Sequence, residues 1–110
     1  GVAMAASLAR SSLGATAVVA AADILAIGAV RGFYDAGLRV PDDMSIIGFD
    51  DLDISQYLAP GLTTIRQQIS RKGQRAVELL LEHIADPSLS KQEEILPLKL
   101  IERGSVRKLS

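Results

Sequence analysis

The sequence has no cysteine and only one histidine, His83. The absence of cysteine excludes disulfides, thiolate metal ligands and a cysteine nucleophile, and a single histidine excludes a metal site built from several imidazoles. Tryptophan is absent as well, and aromatic residues make up only 4% of the chain. So few rings argue against the stacking surface on which single-stranded nucleic acid binds. These absences exclude several kinds of site and leave the carboxylates as the main candidates for chemistry.

An excess of either charge is also missing. The 110 residues contain 12 Lys and Arg against 13 Asp and Glu, a formal net charge of −1, which does not favour nucleic-acid binding by bulk electrostatics. The length predicts one domain of ordinary globular composition. No apolar run reaches the roughly 18 residues of a membrane span. The apolar opening at residues 2–9 has no basic flank, so it is interpreted as a helix and not as a signal peptide.

Residues 15–51 predict a strand, a helix and a second strand. The continuous apolar run at 15–22 is typical of a strand buried on both faces of a parallel sheet. Asp23 is expected to cap a helix that runs from about Ile24 to Ala36. That helix is apolar on more than one side, so it needs a second partner in this chain or another. With a strand at 44–49, the three elements fit one right-handed βαβ unit.

The remainder of the chain predicts a strand, a long helix and an edge strand. Residues 62–67 form the strand, and Ser70 is expected to cap a helix that ends near Ala85. Pro97 within the last strand, residues 95–101, predicts that this strand is an edge strand or a bulged one. From Gly104 onward we expect a mobile tail. The apolar stripe of the long helix consists of Gly73, Ala76, Val77, Leu80, Leu81 and Ile84.

Three aspartates follow the predicted strands, and three interpretations of them stay open. Asp23, Asp50 and Asp51 cluster at one rim if the first two strands are neighbours, with no cation nearby in sequence. The first interpretation is structural, with Asp23 as a helix cap and Asp51 as a turn former. The second is a Mg²⁺ or phosphoryl-aspartate site. The third is recognition of a polyol, in which the Asp50 carboxylate accepts hydrogen bonds from hydroxyls beside the apolar wall of Phe49.

The other candidate residues carry weaker patterns. His83 lies late in the long helix, where a histidine usually stabilises the helix C-terminus. Arg66 and Gln67 end the third strand and are candidates for contacting a ligand or forming a hinge. The serines lack a nucleophile-elbow motif. The glycines show no phosphate-loop pattern and are interpreted as small residues for helix packing; these are Gly28, Gly32 and Gly37.

Five stretches in order resemble the lac repressor / gal repressor (LacI/GalR) family of transcriptional regulators. They are VVAAADILAIGAVR (18–31), AGLRVPDDMSIIGFDD (36–51), LTTIRQ (62–67), GQRAVELLL (73–81) and LPLKLIERGS (96–105). The resemblance implies an α/β fold, part of a periplasmic-binding-protein-like (type I) architecture with parallel strands flanked by helices. It implies that residues 1–66 belong to the C-terminal lobe of an effector-binding core. Residues 67–110 would be the crossover to the N-terminal lobe and a C-terminal tail.

The resemblance also implies a function, a compartment and partners. Members are mostly cytoplasmic repressors in which a small effector, such as a sugar or nucleoside, alters operator binding by a homodimer. Operator DNA is contacted through a helix-turn-helix headpiece, which lies outside this chain. No enzymatic activity, cofactor, metal or membrane contact is implied. The rival interpretations are a periplasmic sugar-binding protein of a transport system and a Mg²⁺-dependent carboxylate enzyme.

The resemblance further assigns roles to individual residues. Asp50 and Phe49 stand in the effector site, and Gln67 stands where the chain crosses to the other lobe and the cleft. Ala22 occupies a position where many members have an asparagine that contacts the effector. The missing amide argues against a standard hexose as the ligand. The positions that match the family's dimer interface are Ile24, Ile27, Arg31, Asp53, Ser55 and Tyr57.

Overall fold

The computed structural model describes residues 1–109 of the chain. Its elements alternate between helices and strands, with one short 3₁₀ helix at Asp53–Tyr57. The helices and strands are α1 (Val2–Arg10), β1 (Ala17–Val19), α2 (Asp23–Asp35), β2 (Ser45–Asp50), β3 (Thr63–Arg66), α3 (Ile69–Ala85) and β4 (Lys99–Ile101). None of the described helices is both long and apolar enough to cross a membrane.

The four strands form one sheet in the order β1-β2-β3-β4. β1, β2 and β3 are parallel, and β4 pairs antiparallel with β3 at the edge. The predicted strand–helix–parallel strand unit and the edge position of the last strand are therefore confirmed. The last strand is shorter than the predicted 95–101, and Pro97 lies before it and not within it. β1 is shorter than the apolar run predicted, and it lies at the other edge, where Val19 is 79% exposed. The expectation that this strand is buried on both faces is thus wrong for the described chain.

The core lies between the sheet and the helices α1 and α2. Its fully buried residues include Phe33 from α2, Ile46 from β2 and Leu62 just before β3. α1 supplies Ala5 to the same cluster, so it is one of the partners that the broadly apolar α2 was expected to need. Gly32 allows this contact, because a Cβ at that position would lie 2.8 Å from the Ala5 Cβ. The interpretation of Gly28 and Gly32 as helix-packing residues is confirmed. It is wrong for Gly37, which follows α2 with φ = 79° and would have no atom within 4 Å of an added Cβ.

The chain divides into two compact units. The first comprises residues 1–66 together with the chain from Lys99 onward, and the second is Gln67–Leu98. The second unit contains α3 and an extended segment that returns along it, joined by an ion pair of 2.7 Å between Arg75 and Glu94. The assignment of these parts of the chain to two lobes stays a prediction.

α3 departs from two expectations. Ser70 lies inside the helix and not at its start, because the residue preceding the helix is Gln68, which makes no side-chain cap. The stripe residues Val77, Leu80 and Ile84 are 56%, 59% and 66% exposed. The apolar pattern identified the helix correctly, but its apolar face is uncovered in the described chain.

The predicted mobile tail is instead built into the first unit. Ser105 is 1% exposed, and its hydroxyl accepts a hydrogen bond from the Thr63 amide at 2.8 Å. The same hydroxyl donates to the Ile46 carbonyl at 2.6 Å, and the Ile46 amide donates to the Ser105 carbonyl at 2.9 Å. The expectation was wrong because these partners lie at the beginning of the inner strands β2 and β3, far away in sequence.

Candidate functional site

The carboxyl ends of β1 and β2 lie at the same edge of the sheet, because the two strands are parallel neighbours. Phe49 and Asp50 end β2 and are both half-buried. Ala22 follows β1 and immediately precedes α2. Open α/β sheets bind their ligands beyond the carboxyl ends of the strands. The fold therefore brings Phe49, Asp50 and Ala22 to the edge where a ligand is expected.

The backbone at the end of β2 is strained. Asp50 has φ = 122° and Asp51 has φ = 54°, and both values lie in the region that favours glycine. Such conformations cost on the order of 1–3 kcal/mol each and persist only where the surroundings hold them. They cluster at binding and switch sites. The strain thus marks the turn that carries Asp50 as a feature that the rest of the fold has to stabilise.

The carboxylate of Asp51 is held by two arginines. Arg66 Nε donates to it at 2.6 Å and Arg103 Nη2 at 2.8 Å, while the Asp51 side chain is only 7% exposed. Burial raises the pKa of the Asp51 carboxyl, but the hydrogen bonds from Arg103 and Arg66 outweigh it. The net result is a pKa below the ordinary value. Asp51 is therefore a charged group in an ion-pair cluster, and the fold supplies two cations that are not near it in sequence.

Arg103 joins this cluster to the adjoining strand. Its Nη1 donates to the Leu62 carbonyl at 2.8 Å, and its amide donates to Thr63 Oγ1 at 3.0 Å. The sequence alone points to no role for Arg103 in the site. No pattern could have indicated one, because Arg103 and Asp51 are 52 positions apart and meet only in the folded sheet.

Asp23 is buried beneath the same turn, and its predicted role as a helix cap is wrong. Asp23 is the first residue of α2, with Ala22 before it and no side-chain cap. Its carboxylate accepts hydrogen bonds from Ser55 Oγ at 2.5 Å, Thr64 Oγ1 at 2.5 Å and the Leu52 amide at 2.8 Å. These hydrogen bonds connect α2 to β3 and to the segment that follows β2. Asp23 therefore stabilises the turn at the end of β2.

The rim aspartates do not form a metal site. Asp23 is 0% exposed and is bonded to hydroxyls and an amide, and Asp51 is paired with arginines. Within residues 1–109, no group of three or more histidine, aspartate or glutamate residues could hold a metal ion. The arrangement therefore does not support the Mg²⁺ or phosphoryl-aspartate interpretation.

The remaining predicted site residues fall in different places. Gln67 opens the second unit, where its side chain accepts a hydrogen bond from Lys72 Nζ at 3.3 Å. His83 is exposed in the last turn of α3. Ser45 is buried, and its hydroxyl accepts a hydrogen bond from the Arg107 amide at 3.1 Å. These contacts give neither His83 nor Ser45 a catalytic arrangement.

The residues predicted for a dimer interface divide by exposure. Ile24 is 65% exposed and Tyr57 is 78% exposed, while Arg31 and Asp53 are also at the surface. Ile27 is partly buried and packs against the core. Ser55 is 0% exposed and donates to Asp23, so its side chain belongs to the interior of the first unit.

Comparison with known proteins agrees with the fold. A family model described as a periplasmic binding protein-like domain matches residues 2–106. The repressor PurR of Mannheimia succiniciproducens is 42% identical over 95 residues, which cover 86% of this chain and 28% of that protein. The chain thus spans less than a third of the length of this relative, which is named as a transcriptional repressor and not as an enzyme.

Solved structures give the same result. A LacI family transcriptional regulator from Enterococcus faecium with bound ribose is 41% identical, with a TM-score of 0.82 over 98% of this chain and 40% of that one. The lac repressor dimer bound to operator and the anti-inducer ONPF is 32% identical, with a TM-score of 0.83 over 96% of this chain and 36% of that one. The chain belongs to the family of periplasmic binding protein-like domains, and it corresponds to part of the effector-binding core of LacI/GalR-family regulators.

Proposed function

We propose that this chain is part of a cytoplasmic transcriptional repressor whose operator affinity is altered by a small effector bound beside Asp50. The observation that carries the proposal is the half-buried, strained Asp50 at the carboxyl end of β2, next to Phe49. The similarity to a ribose-bound regulator supports a ligand with several hydroxyls. The effector is therefore proposed to be a sugar or a nucleoside-like molecule.

The proposed binding chemistry follows from the residue types at this edge. A carboxylate accepts hydrogen bonds from adjacent hydroxyls, and charge-assisted bonds of this kind are stronger than neutral ones. Phe49 provides an apolar surface beside it, as in most small-ligand sites. Ala22 offers no side-chain donor where the family resemblance implies an asparagine. A pentose or a nucleoside fits this reduced set of contacts better than a standard hexose.

Regulation requires that the effector distinguishes two conformations. A ligand shifts an equilibrium only by its difference in affinity for the two states. We infer that Asp50 binds the effector from one lobe and that Gln67 belongs to the crossover and the cleft. Operator DNA would be bound through a headpiece, so that occupancy of the cleft changes DNA affinity.

A homodimer is part of the proposal. Exposed apolar side chains on α2 and the 3₁₀ helix, Ile24 and Tyr57 among them, support an interface there. Exposed apolar patches commonly mark protein–protein contacts. Arg31 and Asp53 add charge at the same elements, and Ile27 lies at the border between this surface and the core.

The effector site is tested by calorimetric titration of the full-length protein with D-ribose. Asp50→Ala should weaken binding about tenfold to a hundredfold, because a hydrogen bond to a charged group contributes about 1.5–3 kcal/mol. Asp42→Ala is the matched control, since Asp42 is a surface aspartate with one long ion pair of 3.8 Å to Arg39. Equal affinity of the Asp50→Ala variant and the wild type would remove Asp50 from the site.

The second candidate is a sugar-binding component of a transport system. The family description as periplasmic binding protein-like favours it, whereas the repressor names of the relatives support the regulator. Reading the gene upstream of the Gly1 codon distinguishes them. A helix-turn-helix headpiece identifies a regulator, and a signal peptide identifies a transport protein.

A further inference from the structure

The strained turn at the end of β2 needs a restraint on its backbone. Asp50 and Asp51 both have positive φ, and without contacts that hold them the chain would relax to a less costly conformation. Two hydrogen bonds from backbone amides hold the chain just after Asp50. The Asp51 amide donates to Thr64 Oγ1 at 3.3 Å, and the Leu52 amide donates to Asp23 at 2.8 Å. The first of these is long for a hydrogen bond and supplies little restraint.

The Asp51 carboxylate restrains the turn more strongly than the long hydrogen bond of the Asp51 amide does. Its two oxygens bind two different guanidinium groups, Arg66 at 2.6 Å and Arg103 at 2.8 Å. Arg66 is also the residue that pairs with Asp50 across the β2–β3 ladder. The carboxylate of Asp51 is thereby bound to the ladder partner of Asp50, so the residue after Asp50 is tied to the strand beside it.

We propose that Asp51 is a positioning residue for the effector site: bound by Arg66 and Arg103, it keeps Asp50 in its positive-φ conformation. The inference rests on the proposed role of Asp50 in effector binding. Asp51 itself does not contact the effector, because both of its carboxylate oxygens are already bound and its side chain is 7% exposed. Its contribution is to the geometry of its neighbour.

The charges in the cluster are compatible with this role. Two guanidinium groups surround the Asp51 carboxylate, so its negative charge is neutralised locally and does not oppose a second carboxylate one residue away. Arg103 is itself anchored on the Leu62 carbonyl, and its side chain is only 19% exposed. Arg66 is more open, with 53% of its side chain exposed. Arg103 is therefore the more firmly held of the two arginines that bind Asp51.

The test compares two readouts in the full-length protein. D-ribose titration gives the affinity, and the three-bond coupling between the amide proton and Hα of Asp50 reports its φ directly. Asp51→Asn removes the charge while keeping a side chain that tolerates positive φ. We expect about tenfold weaker ribose binding, equivalent to roughly 1.4 kcal/mol, and a changed Asp50 coupling. Asp43→Asn is the control. It also removes an ion pair with an arginine, Arg39 at 3.5 Å, but Asp43 does not belong to the turn after β2.

Each outcome decides the inference. Wild-type ribose affinity together with an unchanged Asp50 coupling in Asp51→Asn would overturn the positioning role. A lower melting temperature would not rescue it if both readouts stay unchanged, because Asp51 would then contribute only to stability. If Asp50→Ala binds ribose like the wild type, the proposed function fails, and the Asp50 coupling still shows whether Asp51 positions it. If Asp51→Asn does not fold, Arg66→Gln removes one of the two partners at an exposed position and is judged by the same readouts.

Discussion

Asp23 is a buried acid whose partners within residues 1–109 are hydrogen-bond donors and not cations. Three donors reach its carboxylate, from residues 29, 32 and 41 positions away in the chain. A buried polar group is tolerated when its oxygens are hydrogen-bonded in this way. Gly48 lies so close that a Cβ there would overlap the Asp23 carboxylate. Asp23, Thr64 and Ser55 therefore act as one polar core beneath the turn that carries Asp50.

The ion pairs of Asp51 make part of the folding stability depend on pH. The pKa of Asp51 in the folded protein lies below its ordinary value, which is about 3.9. The stabilising contribution is therefore complete above that ordinary value and is lost as the pH falls through the lowered folded pKa. We expect Asp51→Asn to have a lower melting temperature than the wild type at pH 7, and the difference to shrink as the pH falls toward 3.

Thermal unfolding of both proteins between pH 7 and pH 3 measures this difference. Other aspartates with lowered pKa values, including Asp43 and Asp86, contribute equally to both proteins and cancel in the comparison. A difference that stays constant across the range would show that the Asp51 carboxylate gains no stability from its ionised form.

The segment after β4 is an element of the sheet's support and not a tail. Ser105 bonds both β2 and β3 through its hydroxyl, and Arg107 continues the contact through Ser45. Because β2 and β3 pair only from Ile47 and Thr63 onward, Ser105 satisfies backbone groups at the beginning of these strands. A buried polar backbone group without a partner would otherwise cost stability.

Ser105→Ala should therefore destabilise the protein. The substitution removes the acceptor of the buried Thr63 amide and the hydrogen bond donated to the Ile46 carbonyl. The loss should lower the free energy of unfolding by about 1–3 kcal/mol. Denaturant unfolding measures the change. Ser88→Ala is the control, because the Ser88 hydroxyl donates to Asp86 at an exposed position. An equal effect of the two substitutions would contradict the structural role of Ser105.

At the scale of the whole molecule, exposed apolar surface is the main unexplained property of the described chain. Large hydrophobic side chains are open to solvent on α2 and on α3. Surfaces of this kind are usually covered by another part of a protein or by a partner. The two faces lie on different units, so different partners can cover them.

The dimer proposal is tested on α2. Ile24→Glu should lower the mass of the full-length protein in sedimentation velocity to that of a monomer, because a charge at the centre of an apolar interface is desolvated without a partner. Ile24 is preferable to Ile27, which packs against the core and would test folding as well. Leu13→Glu is the control at a similarly exposed residue outside the helices, 77% exposed. An unchanged dimer mass in Ile24→Glu would exclude this surface.

The sequence by itself determined the succession of elements and the edge of the sheet that carries the candidate site. Apolar runs and helical stripes are local patterns, so they identified the βαβ unit, α3 and the residues Phe49 and Asp50 at the end of β2. The ordered motifs also identified the family. These properties depend on residues near each other in the chain, which is why pattern and composition were sufficient.

Only the tertiary structure decided what the polar residues do. Asp23 accepts hydrogen bonds from distant residues and does not cap α2, and Asp51 pairs with two arginines. Ser105 bonds the beginning of the inner strands and does not lie in a mobile tail. In each case the partners are distant in sequence and compete with a local role that the pattern suggested. A polar side chain binds whichever donor or acceptor the fold brings within 3 Å or so of it, and that choice is made by packing, which no local pattern contains.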